Sequence, residues 1–333
     1  MSVARITVCA VLAIAAGAAA AFSIGSGTLL SLFSQATVYA VFALGVGLLL
    51  RQNGMVSFGH AAFYGGAGYI IGLLLETKAA PAEAAILIAV TVIAIFAFLL
   101  GLVIVRVPGI AFGMLTLAVG QMFYVMAARS RGLTGGDDGL NIDWPNRLFG
   151  APLSTLLKPS FMFLTSWCVL ILILWAVAVL LTCRFGAITE AVRDNEERAR
   201  FIGVRTLVPR AAVFALSAAI VAVAGVLSAL NTGFVSPDSL HWSVSGMTLM
   251  MVVVGGYRTL WGPPLGAVVY FVVKDFLGDF ANHWMGIFGV TLIAVVAFAP
   301  DGVAGALVRL APWRAPDRGS PAKSRFPVSA TPR

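Results

Sequence analysis

The chain has 333 residues, of which 60% are hydrophobic and 11% are charged. Soluble globular proteins carry about 25% charged residues, so this composition excludes a soluble domain and indicates a polytopic membrane protein. The net charge of +8 does not indicate nucleic-acid binding. The basic residues stand at the ends of apolar runs and in the C-terminal tail, where they orient a protein in the membrane.

Ten apolar runs predict an all-α fold of about ten transmembrane helices, some of them short or broken. In chain order, the predicted spans are residues 5–22, 28–50, 57–75, 81–105, 109–127, 161–182, 210–230, 242–257, 262–279 and 284–299. Run 5–22 follows one arginine and is alternatively a cleaved signal peptide. Run 57–75 is rich in glycine and run 242–257 is short, so either is a candidate for a broken or half-buried helix.

These spans predict a single membrane domain over residues 1–310. Residues 311–333 are rich in proline, serine and arginine, which predicts a disordered basic tail. If loop 183–210 is cytoplasmic, alternation of the spans puts the tail, both termini and most other basic residues on the same side. The connection 128–160 is the exception, because it carries basic residues and falls on the outer side.

Residues 183–210 concentrate ten of the chain's 36 charged residues between two apolar runs. We predict a helix over 187–202, because opposite charges four residues apart stabilise a helix. These pairs are Arg193/Glu197, Asp194/Arg198 and Glu196/Arg200, and the residues expected on the apolar face are Ile188, Val192, Ala199 and Ile202. Gly203 is expected to end the helix in a left-handed conformation. Such a helix is either a docking surface for another protein or a solvated loop that fixes topology.

Polar residues within the predicted spans are few. A translocation path has four candidates: His60, Gln121, Asn231 and Ser243. Each is alternatively a packing residue that hydrogen-bonds a neighbouring helix. The three cysteines and three histidines show no metal-ligand spacing, and no GxxxxGK[ST] phosphate loop occurs, so we predict no metal or cofactor site. If ATP is used, another polypeptide binds it.

Five motifs resemble the permease subunits of branched-chain amino-acid ABC importers of the LivM type. They are SFGHAAFYGGAGY (57–69), LTGGDDGL (133–140), RFGAITEAVRDNEERARFIGV (184–204), GFVSPDSL (233–240) and MVVVGGYRTLWGPPLGA (251–267). The resemblance implies a non-enzymatic subunit of the bacterial inner membrane that pairs with a second, related permease. It also implies two cytoplasmic ATPase subunits that drive transport and a periplasmic binding protein that delivers a small-molecule substrate.

The resemblance assigns roles to two groups of residues. The ATPase-coupling helix would contain Glu190, Arg193, Asp194, Glu196, Glu197, Arg198 and Gly203. The binding protein would contact Thr134, Asp137, Asp138 and Asp238. Relatives usually carry a basic residue where this chain has Glu190, and departures of this kind leave the substrate open between branched-chain amino acids and urea or short amides. A secondary transporter is the alternative of another class, but it needs a titratable or sodium-binding centre in mid-membrane.

Overall fold

The computed structural model describes residues 3–107, 109–278, 286, 289–290 and 302–310. Its longer helices are α1 (Val3–Ser23), α2 (Gly27–Asn53), α3 (His60–Glu76), α4 (Ala82–Ile104), α5 (Ile110–Arg129), α8 (Pro159–Thr182), α11 (Leu207–Thr232), α12 (Trp242–Gly255) and α13 (Gly262–Gly278). Shorter ones are α6 (Arg131–Thr134), α7 (Leu153–Leu156), α9 (Arg184–Asp194), α10 (Glu196–Phe201) and α14 (Gly302–Leu310), with 3-10 turns at Gly136–Asp138 and Pro237–Leu240.

Six of the described helices are long and apolar enough to cross a membrane: α1, α2, α4, α5, α8 and α11. The all-α fold and the polytopic membrane class are therefore confirmed. The predicted spans 57–75, 242–257 and 262–279 correspond to the shorter helices α3, α12 and α13. Most of the predicted span 284–299 and the whole predicted tail 311–333 lie outside the described residues.

Helices α2 and α11 form the centre of the bundle. Both are apolar around most of their circumference, and most of their residues are buried, as expected for helices surrounded by protein. They pack on each other; α11 also packs on α3 and α4, and α2 also packs on α8 and α13. A Cβ atom at Gly225 of α11 would lie against the carbonyl oxygen of Tyr64 in α3, so the absence of a side chain there permits close helix contact.

The connection after α5 folds back over the end of the bundle. Its strands are β1 (Leu140–Asn141), β2 (Arg147–Leu148) and β3 (Ala151–Pro152), and β2 pairs with β3. Strand β1 pairs antiparallel with β4 (Phe234–Val235), which directly follows α11. The connection thereby holds two segments together that are about ninety residues apart in the sequence, LTGGDDGL and GFVSPDSL.

The charged segment forms two helices, so the prediction of one helix over 187–202 is wrong. Asn195 has an extended backbone with φ −159° and ψ 101°, and its side chain accepts a hydrogen bond from the backbone N–H of Arg198. It thus ends α9 and begins α10, because a side-chain acceptor at this position replaces the missing helical hydrogen bond. We call residues 184–203 the charged elbow.

The break at Asn195 also changes which charges meet. Of the three predicted pairs, Glu196/Arg200 forms, with 2.6 Å between Oε1 and Nη2. Arg193/Glu197 and Asp194/Arg198 are not ion pairs, because the members of each pair lie in different helices. The predicted apolar face is only half correct. Val192 and Ala199 are buried, whereas Ile188 is 39% and Ile202 is 74% exposed.

Candidate functional site

Two adjoining cavities open at the end of the bundle opposite the charged elbow. The first, of about 190 Å³, lies among α2, α11 and α13. Its lining combines polar groups with apolar ones and includes Gln35, Val38, Asn231, Met247, Phe271 and Lys274. Asn231, one of the predicted path residues, is therefore on a cavity wall.

The second cavity, of about 290 Å³, lies between α3, α11 and the 3-10 turn at Pro237–Leu240. It shares Tyr39, Tyr64, Ser228 and Thr232 with the first cavity, so the two spaces meet at these side chains. The ring of Tyr64 packs 5.0 Å from that of Phe42 and 6.1 Å from that of Tyr39. This aromatic group separates the cavities from the buried centre of the bundle.

The residues predicted to contact a binding protein lie around the mouth of the second cavity or beside it. Asp238 lines the cavity, and the side chains of Asp137 and Asp138 are exposed. The β1–β4 pair brings these acidic residues to the same end of the molecule. Thr134 is placed differently, because its hydroxyl donates to the carbonyl oxygens of Ala127 and Ser130 and thereby fixes the turn after α5.

His60 lies at the start of α3 and is fully buried. Its Nδ1 is 2.8 Å from the hydroxyl of Ser57, and its Nε2 is 2.8 Å from that of Ser217. Because the Ser217 hydroxyl donates its own proton to the carbonyl oxygen of Gly45, it accepts from His60, which assigns the proton to Nε2. His60 connects α3 to α11 and, through Ser217, to α2, and it lines neither of the two cavities.

The irregular segment before α3 explains the SFGH motif. A break in a helix inside a membrane exposes backbone N–H groups that need partners. The N–H of Phe58 donates to the hydroxyl of Thr116 over 3.2 Å, and that of Ala61 donates to the hydroxyl of Ser245 over 2.7 Å. Three other helices, α5, α11 and α12, thus hold the start of α3 in place.

The other two predicted path residues lie away from the cavities. Gln121 is on α5, and its buried Oε1 atom has no hydrogen-bond partner within the described part of the chain. Ser243 is exposed near the start of α12, where its hydroxyl and its backbone N–H contact Nδ1 of His241. A path role for His60, Gln121 or Ser243 stays a prediction.

At the opposite end, the charged elbow is fixed to α2. The hydroxyl of Thr189 donates to Oε1 of Gln52 over 2.8 Å, and both side chains are buried. Arg193 donates through Nη1 to the carbonyl oxygen of Arg51 over 2.5 Å, and its Nη2 lies 2.7 Å from Asp194. Glu190 is exposed and 3.9 Å from Arg193, so it adds a second, weaker ion pair.

A second set of contacts fixes the elbow to α11. The two carboxylate oxygens of Glu196 contact Arg200 and Arg210, and the Thr206 hydroxyl donates to one of them over 2.9 Å. Partial burial raises the pKa of Glu196, but the hydrogen bond from Thr206 and the charges of Arg210 and Arg200 outweigh it, so its pKa lies below the ordinary value. The side-chain amide of Asn53 donates to the carbonyl oxygen of Arg210, which joins α2 to α11 at the same place.

The remaining surface of the elbow projects away from the bundle. Glu197 and Arg198 are exposed on α10, and Gly203 follows with φ +85°, the left-handed conformation expected at a helix end. Phe201 is 90% and Ile202 is 74% exposed. Large apolar side chains beside exposed charges are typical of a protein-binding surface.

Several cavity-lining residues could not be predicted from the sequence. Tyr39, Tyr64 and Ser228 shape both cavities, but they stand in apolar runs where nothing local distinguishes them from packing residues. Lys274 has a detectable signal, since a charge within an apolar run is costly in a membrane. Among the described residues, no group of three or more His, Cys, Asp or Glu residues could hold a metal ion.

A family model described as "Branched-chain amino acid transport system / permease component" matches residues 28–296. The chain belongs to this family. No solved structure matches it significantly. Members are non-enzymatic transmembrane subunits of ABC transporters, and the resemblance noted from the five motifs is confirmed.

Curated relatives agree with this assignment. The high-affinity branched-chain amino acid transport system permease protein LivM of Escherichia coli (strain K12) is 26% identical over 302 residues, covering 85% of this chain and 71% of the relative. The autoinducer 2 import system permease protein LsrC of Photorhabdus laumondii is 26% identical over 286 residues, covering 85% and 79%. A probable LivM of Methanocaldococcus jannaschii is 28% identical over 141 residues, covering 37% and 40%. The family therefore spans more than one cargo.

Proposed function

We propose that the chain is the permease subunit of an ATP-driven importer, with the charged elbow as the segment that couples it to an ATPase. The supporting observation is that the same two helices contact the elbow at one end of the bundle and line the cavities at the other end. The elbow is held by Gln52 of α2 and by Arg210 of α11, whereas Tyr39 of α2 and Ser228 of α11 line the cavities at the opposite end. A displacement of the elbow is therefore passed directly to the cavity walls.

We also propose how the chain is arranged in the membrane. Ten spans within one domain, 1–310, place both termini and the elbow in the cytoplasm of a bacterial inner membrane. Two ATPase subunits contact the elbow, a second permease completes the pathway, and the substrate crosses between the two permeases. A periplasmic binding protein docks on the acidic residues at the second cavity, which include Asp137 and Asp238. No cofactor is required by this chain.

We propose a branched-chain amino acid, or a small amphipathic solute similar to it, as the cargo. The cavities support a molecule with both an apolar and a polar part, because Val38, Met247 and Phe271 face the same space as Asn231 and Gln35. The LivM protein of Escherichia coli matches at the same identity, 26%, as the Photorhabdus laumondii relative named for autoinducer 2 import. Autoinducer 2 is therefore the second cargo to assay, together with urea and short amides.

The test uses the full chain, isolated from its native membrane with whatever subunits accompany it and reconstituted in proteoliposomes. We expect an ATPase and a second permease to co-purify, and leucine uptake to require internal ATP and the cognate binding protein. Changing Arg193 and Arg198 together to Glu should abolish uptake while the chain remains in the membrane. Uptake by the chain alone, driven by an ion gradient, would contradict the proposal.

A further inference from the structure

A third cavity lies at the elbow end of the bundle, where α4, α10 and α11 meet. Its volume is about 490 Å³, within the range of small-molecule sites in proteins. The lining includes the three arginines Arg106, Arg200 and Arg210 and the single acidic residue Glu196. Three positive charges against one negative charge leave the cavity with a formal charge of +2, which favours an anionic ligand.

The donors in this cavity are only partly used. Glu196 accepts from Arg200, Arg210 and Thr206, so the one carboxylate is shared among three partners. Arg106 donates through Nε to the carbonyl oxygen of Leu102, one turn back along α4, and its side chain is exposed. Nε of Arg210 is buried and has no hydrogen-bond partner among the residues that the structure describes. An anion with several acceptor oxygens would accept hydrogen bonds from the donors that remain unused.

The cavity adjoins an exposed apolar surface. On α4, Leu99 is 58% and Val103 is 67% exposed, and Arg106 continues the same side of the helix. On α11, Val208 is 50% exposed beside the cavity-lining Leu207. A ligand in the cavity therefore has charged donors on one side and exposed apolar side chains on the other.

We propose that this cavity binds the phosphate headgroup of an anionic phospholipid, with the acyl chains lying along Leu99, Val103 and Val208. Basic pockets between membrane helices at the headgroup level recognise such lipids. The bound headgroup would link Arg106, in the turn after α4, to the Glu196–Arg210 contact that holds the elbow, so the lipid would stabilise the elbow against the bundle. This inference does not depend on the cargo or on the direction of transport.

The test compares two lipids that differ only in their headgroup. The full chain is purified with equimolar phosphatidylglycerol and phosphatidylcholine of identical acyl chains, and the retained lipids are quantified by native mass spectrometry. We expect phosphatidylglycerol to be retained preferentially. One arginine near an anionic lipid changes binding about five-fold, so Arg106→Gln should lower the ratio of the two lipids by about that factor. Arg184→Gln, which removes an exposed arginine outside the cavity, should leave the ratio unchanged.

Five outcomes would overturn the proposal. They are the absence of a headgroup preference in the wild type, an unchanged ratio in Arg106→Gln, and an equal decrease in Arg184→Gln. The fourth is displacement of the lipid by inorganic phosphate or glycerol phosphate at the lipid's own concentration, which would identify a soluble anion as the ligand. Loss of the lipid from the complex with the ATPase would likewise assign this surface to protein contact.

Discussion

Ser217 of α11 lies where side-chain hydrogen bonds join α2, α3 and α11. Its hydroxyl lies 2.8 Å from Nε2 of His60 and donates to the carbonyl oxygen of Gly45 over 2.7 Å. Ser217→Ala would leave the buried Nε2–H group of His60 without an acceptor, which costs about 1–3 kcal/mol. We expect a lower melting temperature for the purified protein in detergent.

Ser166 provides a control of the same chemistry and burial. It is also fully buried in a membrane helix, but its hydroxyl has no hydrogen-bond partner in the described part of the chain. Ser166→Ala therefore removes no hydrogen bond and should leave the melting temperature unchanged or slightly raised. Equal decreases in the two variants would contradict the role assigned to the His60–Ser217 contact.

Glu196 gives the elbow a pH-dependent attachment. Its pKa is lowered in the folded protein, because the hydrogen bond from Thr206 and the charges of Arg210 and Arg200 outweigh its partial burial. A carboxylate with a lowered folded pKa stabilises the protein above its unfolded pKa, about 4.3, and this contribution is lost as pH falls through the folded value. Glu196→Gln should therefore melt below the wild type at pH 7, and the difference should shrink below about pH 4.

Melting temperatures between pH 7 and pH 3 measure this effect. Glu197→Gln changes the exposed neighbour of Glu196 in the same helix and should melt close to the wild type. A difference between Glu196→Gln and the wild type that is constant with pH would show that packing, and not the charge of Glu196, fixes the elbow.

At the scale of elements, the break in the elbow depends on one side chain. The Oδ1 atom of Asn195 accepts from the N–H of Arg198 over 2.8 Å, which caps α10. Asn195→Ala removes this acceptor at a cost of about 1 kcal/mol, so amide exchange at the start of α10 should accelerate about five-fold. Asn195→Asp keeps the acceptor and should exchange like the wild type. Hydrogen–deuterium exchange by mass spectrometry distinguishes the two, and unchanged exchange in Asn195→Ala would contradict the cap.

The same break shows where sequence reasoning succeeds and where it fails. The apolar runs predict the helices well, because the length of a span is set by the membrane. Charges four residues apart favour one continuous helix over 187–202, yet each such pair contributes only about 0.3–0.5 kcal/mol. The cap by Asn195 and the contacts of Thr189 and Arg193 with α2 are stronger, and they form only when the helix is interrupted at Asn195. Of these competing effects, only the cap has a local signal.

The cavities could not be predicted in the same way. Tyr39 and Ser228 share a wall although 189 positions separate them in the sequence. Their proximity follows from the packing of α2 on α11, which depends on small residues such as Gly45 against Ser217 and Val221. Asn231 is an exception, because a polar side chain at the end of an apolar run is a recognisable candidate and does line a cavity.

At the scale of the whole molecule, α2 and α11 connect the elbow with the cavities. They cross the bundle in contact with each other, and most of their residues are buried. Close-packed protein interiors have low compressibility and transmit strain. A force applied at Gln52 or Arg210 therefore reaches Tyr39 and Ser228 without a flexible segment in between.

This rigid connection separates two roles within the elbow. Arg193 faces the bundle and donates to the carbonyl oxygen of Arg51, whereas Arg198 is exposed on α10. Arg198→Glu should weaken ATPase binding, since it reverses a charge on the projecting surface. Arg193→Gln should leave ATPase binding nearly unchanged but weaken the coupling of ATP hydrolysis to uptake, since the hydrogen bond from Arg193 to Arg51 of α2 is lost while the Thr189–Gln52 contact remains. Subunit affinity and the ratio of substrate transported to ATP hydrolysed, measured in the same proteoliposomes, separate the two effects. An equal loss of affinity in both variants would show that Arg193 also belongs to the docking surface.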